Sequence, residues 1–151
     1  MRYVTMRIDH YGRVFARDIL SLPVSGGKTE NNRRETENMP YISTKTNVSV
    51  SEAQRRELEK KLGKAIELIP GKSESWLMLS FEPETAMAFQ GSEEATAMLE
   101  VKLFGKASAG AYSDMTKALT KIISEELQIP AARIYVKYEE CAVWGWNGEN
   151  F

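Results

Sequence analysis

Between Pro40 and Tyr138 the chain carries one pattern twice: a short alternating stretch, an amphipathic helical stretch closed by proline, and a second alternating stretch. Two strand–helix–strand units in tandem leave few folds open, because a crossover between parallel strands of one sheet is right-handed and returns its helix to a set face. In the first unit Pro40–Thr46 alternates loosely between apolar and polar residues and reads as a strand. Proline is tolerated at a strand's first position, where its missing N–H need not join the ladder. Ser51 followed by Gln54 has the spacing of a capping box, and Leu58, Leu62, Ala65, Ile66 and Ile69 then line one helix face until Pro70-Gly71 ends it. Trp76–Glu82 is the second strand, with Leu77, Leu79 and Phe81 on one side.

Residues 83–95 connect the units, with Gly91 and Ser92 as turn residues and Met87 and Phe89 as apolar anchors. Ala97, Leu99, Val101 and Leu103 alternate along a third strand that ends at Phe104-Gly105. Ser108–Ala111 opens a helix with Met115, Leu119, Ile122, Ile123 and Leu127 on its buried face; Ile129-Pro130 stops it, and Ile134–Tyr138 is the fourth strand. The pattern predicts an α/β (α+β) fold: one four-stranded sheet with both helices on one face. Trp76, Met78 and Met98 add apolar character to the other face, so a second layer is expected there, and another copy of the same chain is the partner to supply it.

With 151 residues and 42% hydrophobic content the chain can bury one core, and one domain is expected. A net charge of -1 from interspersed acids and bases, with a pI near 6.0, excludes a general nucleic-acid surface. One cysteine, Cys141, excludes an internal disulfide and the usual thiolate zinc site. No apolar run approaches the roughly 20 residues of a membrane span. Residues 1–38 form an extension before a domain at 40–151: the first 24 have some strand-like alternation, and SGGKTENNRRETEN reads as disordered linker. Arg2, Arg7, Arg13 and Arg17 suggest a transit peptide, which Asp9 and Asp18 oppose. A further reading is that the extension is not made and translation starts at Met39, since Arg33-Arg34-Glu35 can be encoded by purine-rich codons resembling a bacterial ribosome-binding sequence. The one histidine, His10, lies in this extension, so acid–base chemistry in the domain falls to carboxylates, lysine, tyrosine, Cys141 or an amino terminus.

Pro40 is the sharpest candidate among these. Inside the chain it is a tertiary amide at the start of a strand; if Met39 is the first residue and is trimmed, Pro40 becomes a free secondary amine. Such a terminus titrates at roughly 7.7–8.0 when unperturbed. Lys72, just after Pro70-Gly71, is either a cation for an anionic substrate or a solvated loop residue. Tyr135 is either a hydrogen-bond donor or a packing residue with a wet tip. Phe104–Gly110 precedes a helix and offers backbone N–H groups to an anion, though it lacks the GK[ST] ending of a P-loop. Glu93-Glu94 and Glu139-Glu140 read as solvated pairs with no metal-ligand spacing, and Cys141 as inert packing. Trp144 and Trp146 either seal a subunit contact or wall an aromatic pocket.

Met39-Pro40 at the head of the first strand, Thr46-Asn47-Val48, Gly71-Lys72, Met87-Ala88-Phe89-Gln90-Gly91-Ser92, Gly105-Lys106, Arg133-Ile134-Tyr135-Val136 and Gly145-Trp146-Asn147 occur in one chain in this order. Together they resemble the macrophage migration inhibitory factor family of the tautomerase superfamily, from Pro40 to Phe151. The resemblance implies a homotrimer whose three sheets form a barrel-like core with the helices outside, and active sites at subunit interfaces built around an amino-terminal proline. By position it implies Pro40 as the catalytic base, Lys72 as the cation for a substrate carboxylate, the Phe104 backbone N–H as a further contact, and Tyr135 as a donor from the neighbouring subunit. Tyr41, Trp76, Trp144, Trp146 and Phe151 match aromatic or apolar pocket positions. Lys137 stands where family members commonly carry asparagine and adds a cation, while Thr96-Ala97-Met98-Leu99 replaces the Cys-x-x-Cys of some animal members, so no redox activity is expected. The function implied is cofactor-independent keto–enol tautomerisation of an aromatic 2-oxo acid such as phenylpyruvate, with no metal, nucleic-acid or membrane partner. The alternatives are a non-catalytic binding or cytokine-like signalling protein that contacts a receptor, or another proline-based reaction such as hydration or dehalogenation of a small unsaturated acid. A cytoplasmic location is expected, with leaderless secretion as the second course.

Overall fold

A computed structural model of the chain describes Met39–Phe151 throughout and, before them, the backbone of two short strands, β1 (Met6–Ile8) and β2 (Val14–Ala16). These two pair antiparallel, Met6 opposite Ala16, in a unit spanning residues 1–30 that is separate from the unit of residues 31–151. His10, Arg2, Arg13, Arg17, Asp9, Asp18 and the expected linker SGGKTENNRRETEN lie outside the described residues.

The larger unit follows the doubled pattern. Its elements in order are β3 (Pro40–Thr46), α1 (Glu52–Ala65), β4 (Met78–Glu82), β5 (Ala97–Phe104), α2 (Ala109–Leu127), β6 (Ile134–Cys141), β7 (Gly145–Trp146) and β8 (Glu149–Asn150). The first six build one sheet and its helices; the strand order is β4-β3-β5-β6, with β3–β4 and β5–β6 parallel and the central β3–β5 pair antiparallel. Each parallel pair needs a long crossover, and each crossover is one of the two helices.

The capping box forms as the spacing predicts: Ser51 Oγ accepts from the Gln54 N–H at 3.3 Å, and Gln54 Oε1 accepts from the Ser51 N–H at 3.0 Å. Gln54 Nε2 also donates to the Glu126 carbonyl at 2.8 Å, tying the start of α1 to the end of α2. Both helices therefore lie over one sheet face, where Leu58, Leu62, Ile66, Ile69, Met115, Leu119 and Ile123 close on Ile42, Leu99, Val101 and Leu103. Each such side chain contributes roughly 1.5–3 kcal/mol when fully buried. Ile122, expected on the buried face of α2, is only partly covered, because Met115, Leu119 and Ile123 already fill the stripe that meets the sheet.

Two expectations change. The second strand begins at Met78, opposite Tyr41, and Glu74–Trp76 is a 3-10 turn, so Trp76 is displaced from the sheet to a place beside Pro40. The sheet's second face is not apolar throughout. Register places Lys45 beside Glu82, Glu100 beside Lys137, and Lys102 beside Glu139, with ion pairs at 3.7, 3.3 and 3.7 Å. The period of two that turns Leu99, Val101 and Leu103 inward turns Met98, Glu100 and Lys102 outward, so charges alternate with the few apolar groups there.

At the end of the sheet away from Pro40, the 83–96 connection is laced down by side chains. Asn47 Nδ2 donates to the Glu93 and Glu94 carbonyls at 2.9 and 3.1 Å, and Asn47 Oδ1 accepts from the Thr96 N–H at 2.9 Å. Arg133, 9% exposed, donates to the carbonyls of Ala95, Ser92 and Glu94 at 3.0, 3.2 and 3.1 Å, and lies 5.4 Å from the Phe89 ring centroid. Three donor contacts fixed on one planar group explain why arginine rather than lysine stands here.

Two stability measurements follow. Thr44 Oγ1 is buried with no hydrogen-bond partner among the described residues, so Thr44→Val should stabilise the protein in urea unfolding by about 1 kcal/mol. Arg133→Ala, which removes one donor from each of three carbonyls, should destabilise it by about 2–3 kcal/mol, and Arg133→Lys should recover only part of that.

Candidate functional site

Where β3 begins, the backbone is held from two sides. Pro40 lies opposite Leu103, and the Met39 carbonyl accepts from the Phe104 N–H at 3.3 Å. Met39 and Pro40 are both buried. Beside them is a cavity of about 450 Å³, lined by Pro40, Trp76, Leu77, Met78, Trp144 and Trp146. This is within the size range of small-molecule sites, and its walls are mostly aromatic and aliphatic.

The wall is assembled from two distant parts of the chain. Trp76 comes from the 3-10 turn before β4, and Trp146 from the hairpin β7–β8; the rings meet edge to face with centroids 5.0 Å apart. The hairpin turns on Asn147-Gly148, with φ of 51° and 84°, the left-handed backbone that a two-residue turn requires. Trp144 and Phe151 close its open end with reciprocal backbone hydrogen bonds of 3.2 and 2.9 Å.

Lys72, the candidate cation, is anchored to the same strand end. Lys72 is 9% exposed, and its ammonium donates to the Phe104 carbonyl at 2.7 Å. Phe104 thus joins the two halves: its N–H goes to Met39 and its carbonyl receives Lys72. The turn that follows is clamped in turn. Gly105, at φ +83°, donates its N–H to the Cys141 carbonyl at 3.1 Å, and the Ala107 N–H donates to the Tyr112 hydroxyl at 3.2 Å. That hydroxyl donates to Glu140 at 2.8 Å; burial, followed by the bond to Glu140, pushes Tyr112 up to about 12. Burial also raises Tyr138, whose ring lies 4.5 Å from that of Tyr112.

One chain therefore brings together Pro40, Trp76, Trp144 and Trp146 at the cavity, with Lys72 and Phe104 tied to the same strand end and Phe151 bonded to Trp144. It does not bring Tyr135, Lys137 or Tyr41 to the cavity. Tyr135 pairs with Met98, five residues along β5 from Leu103, which is about 17 Å at the rise of a strand. It is 59% exposed and stacks edge to face on Phe89 at 4.8 Å. Lys137 is paired with Glu100 at 3.3 Å, so in one chain it is not the added cation that the sequence suggests. Tyr41 bonds Ser80 at 2.7 Å on the open sheet face.

Sequence reasoning left out Leu77 and Met78 as cavity walls and the clamp at Tyr112. The first follows from the shifted start of β4, which no local signal gives; the Asn147-Gly148 dipeptide, in contrast, is a legible hairpin signal. A second hollow, at the other end of the sheet near Asn47, Met87 and Glu93, is a weaker candidate because the polar atoms of Asn47 are already engaged with the backbone around it. Among the described residues no group of three or more His, Cys, Asp or Glu is placed to hold a metal ion, and no helix is long and apolar enough to cross a membrane.

The likeness to known proteins covers residues 39–151. The family model described as macrophage migration inhibitory factor (MIF) matches residues 39–151. The macrophage migration inhibitory factor of Xenopus laevis is 32% identical over 118 residues, covering 75% of this chain and 99% of that protein. The homolog of Brugia malayi is 30% identical over the same coverage. Among solved structures, Leishmania major MIF2 superimposes with a TM-score of 0.71 at 34% identity, covering 76% of this chain and 98% of that one. The Prochlorococcus marinus homologue gives a TM-score of 0.67 at 31% identity, covering 74% and 98%. With the sheet order, the paired helices and the matched length in agreement, this chain belongs to the macrophage migration inhibitory factor family.

Proposed function

We propose that the protein is a cofactor-independent keto–enol tautomerase of aromatic 2-oxo acids such as phenylpyruvate, with Pro40 as its general base when Pro40 is the amino terminus. The observation that carries this reading is the cavity of about 450 Å³ at Pro40, walled by three tryptophans, with the Lys72 ammonium tied to the same strand end through Phe104. An aromatic acid matches both features: the ring takes the tryptophan wall, and the carboxylate takes the cation.

The amine nitrogen of Pro40 removes a proton from the carbon beside the ketone, and the electron pair of that C–H bond becomes the enolate. Lys72 and a backbone N–H stabilise the charge that develops on oxygen, and the ammonium of Pro40 returns the proton there. Burial and a nearby ammonium both disfavour a charged amine, so both lower its pKa from the free value of roughly 7.7–8.0. A positioned base of matched pKa contributes about 10²–10⁴ in rate.

The assembly we propose is a homotrimer, in which Tyr135 and its stacking partner Phe89, about 17 Å along the sheet from Pro40 in one chain, serve a neighbouring subunit's cavity. The second reading, a binding or signalling protein on the same fold, is favoured by one feature: with residues before Pro40 attached, its nitrogen is a tertiary amide without a basic lone pair.

The test compares the full chain with a form beginning at Pro40, measured on the enol of phenylpyruvate. The shorter form matches the extent of the relatives, which align over 99% of their own length. Turnover should appear in that form and fall by about 10²-fold or more in its Pro40→Gly variant; equal turnover in both would sink the assignment. In the active form kcat/KM should decline as pH drops through the amine's pKa, because the protonated amine has no lone pair to act as base. The midpoint of that limb should lie below the roughly 7.7 of a free amino terminus, and a midpoint at or above it would remove burial and Lys72 as its cause.

A further inference from the structure

The carbonyl that precedes Pro40 occupies a hydrogen-bond donor at the edge of the proposed site. β5 runs one residue past the start of β3: Leu103 pairs with Pro40, and the next residue, Phe104, sends its N–H to the Met39 carbonyl at 3.3 Å. Pro40 is the first residue of β3, so among the described residues this N–H meets its acceptor just before the strand begins. The oxygen of that carbonyl is two bonds from the Pro40 nitrogen. An acceptor in its place is thus held beside the Phe104 N–H and beside the nitrogen read above as the base.

Met39 also fills space. It is 4% exposed, yet it stands outside the cluster that the helices and sheet close around Ile42 and Leu99. It is instead one of the residues lining the cavity of about 450 Å³, together with Pro40, Trp76 and Trp146. Methionine is unbranched and flexible, which suits it to an irregular hollow. A chain without it has a larger cavity at Pro40 and a Phe104 N–H without its acceptor. Such a donor needs water or a ligand oxygen instead, and a carboxylate accepts more strongly than a neutral carbonyl.

We infer that Met39, while attached, is an internal occupant of the Pro40 site: its carbonyl holds the Phe104 N–H in place of a ligand oxygen, and its bulk takes part of the aromatic cavity. This rests on the reading of that cavity as the site of an aromatic acid. The attached residue then closes the site in two independent ways. The amide it forms removes the basic lone pair of Pro40, which prevents catalysis. Its carbonyl and bulk stand where the ligand goes, which weakens binding as well. A chain beginning at Pro40 presents the base, the donor and the space together.

The experiment compares the full 151-residue chain, its Met39→Ala variant and the form beginning at Pro40, whose extent is that of the relatives. The probes are phenylacetate and the uncharged 2-phenylethanol, with binding read by quenching of tryptophan fluorescence. A pH of about 9, above the roughly 7.7–8.0 of a free amino terminus, keeps Pro40 from attracting the carboxylate as an ammonium. Met39→Ala keeps the carbonyl and removes bulk, so it should tighten both probes alike by about fourfold, the factor of one further buried methylene. The form beginning at Pro40 also frees the Phe104 N–H and should gain about tenfold more for phenylacetate than for 2-phenylethanol. Phenylacetate bound as tightly by the full chain as by that form overturns the inference, and so does 2-phenylethanol binding that Met39→Ala leaves unchanged. An equal gain for both probes in the shorter form overturns it too. Should Met39→Ala fail to fold, the comparison of the other two proteins decides by itself. Turnover is scored apart: binding that opens in the form beginning at Pro40 without turnover upholds the role of Met39 and removes the catalytic reading. Turnover in that form, with phenylacetate bound equally by the full chain, does the reverse.

Discussion

The antiparallel pairing of β3 with β5 is the constraint on which the rest depends. It is the one seam between the two strand–helix–strand units, running from Pro40 opposite Leu103 to Thr46 opposite Ala97. A slip of one residue along it would exchange the faces of the strand, exposing Ile42 and burying Lys45. Ile42, Leu99 and Val101 are completely buried under the helices, so such a slip forfeits several kcal/mol at once. The same register fixes what meets at either end. Pro40 is brought to Phe104 at one, and Thr46 and Asn47 to Thr96 and the 83–96 connection at the other.

These two ends are built differently, in a way that suits different tasks. The Asn47 and Arg133 end is saturated: its side-chain donors and acceptors are spent on backbone groups of one connection, which keeps the Phe89–Tyr135 pair in a defined place. The cavity at the Pro40 end is instead walled mostly by aromatic and aliphatic groups, whereas the hollow at the other end lies beside side chains already engaged with the backbone. Aromatic rings held by a 3-10 turn and a two-residue hairpin are rigid but not interdigitated. A cavity beside a buried strand terminus, with a cation tied to the neighbouring strand, is the arrangement from which the proposed chemistry draws.

Much of the fold was legible in the sequence because its signals are local. The steps of three and four in Leu58, Leu62, Ile66 and Ile69, the capping box at Ser51 and Gln54, and the alternation through Leu99, Val101 and Leu103 each report a period that the backbone enforces by itself. Less legible was the sheet's open face. Met78 and Met98 suggest an apolar surface when counted alone, but the charges between them find partners only across strands. Ion pairs such as Lys102–Glu139 and Lys137–Glu100 depend on register, which links residues 37 positions apart in sequence. Of the candidate site, Pro40, Lys72, Phe104 and the tryptophans stand out by pattern and resemblance, whereas Tyr112 carries no motif of its own.

The sequence by itself determined the number and kind of elements, the inward residues of each, the capping of α1, and the family that the order of its short motifs resembles. All of these rest on interactions between residues a few positions apart or on a pattern read along one line. Only the tertiary structure decided that Trp76 leaves its strand to face Trp146, that Lys72 points at the Phe104 carbonyl, and that Tyr112 braces the turn beyond it. Those contacts join residues brought together by sheet register and crossover. The physical reason is that a hydrogen bond or ring contact acts over a few ångströms of space, whatever the separation of its partners along the chain.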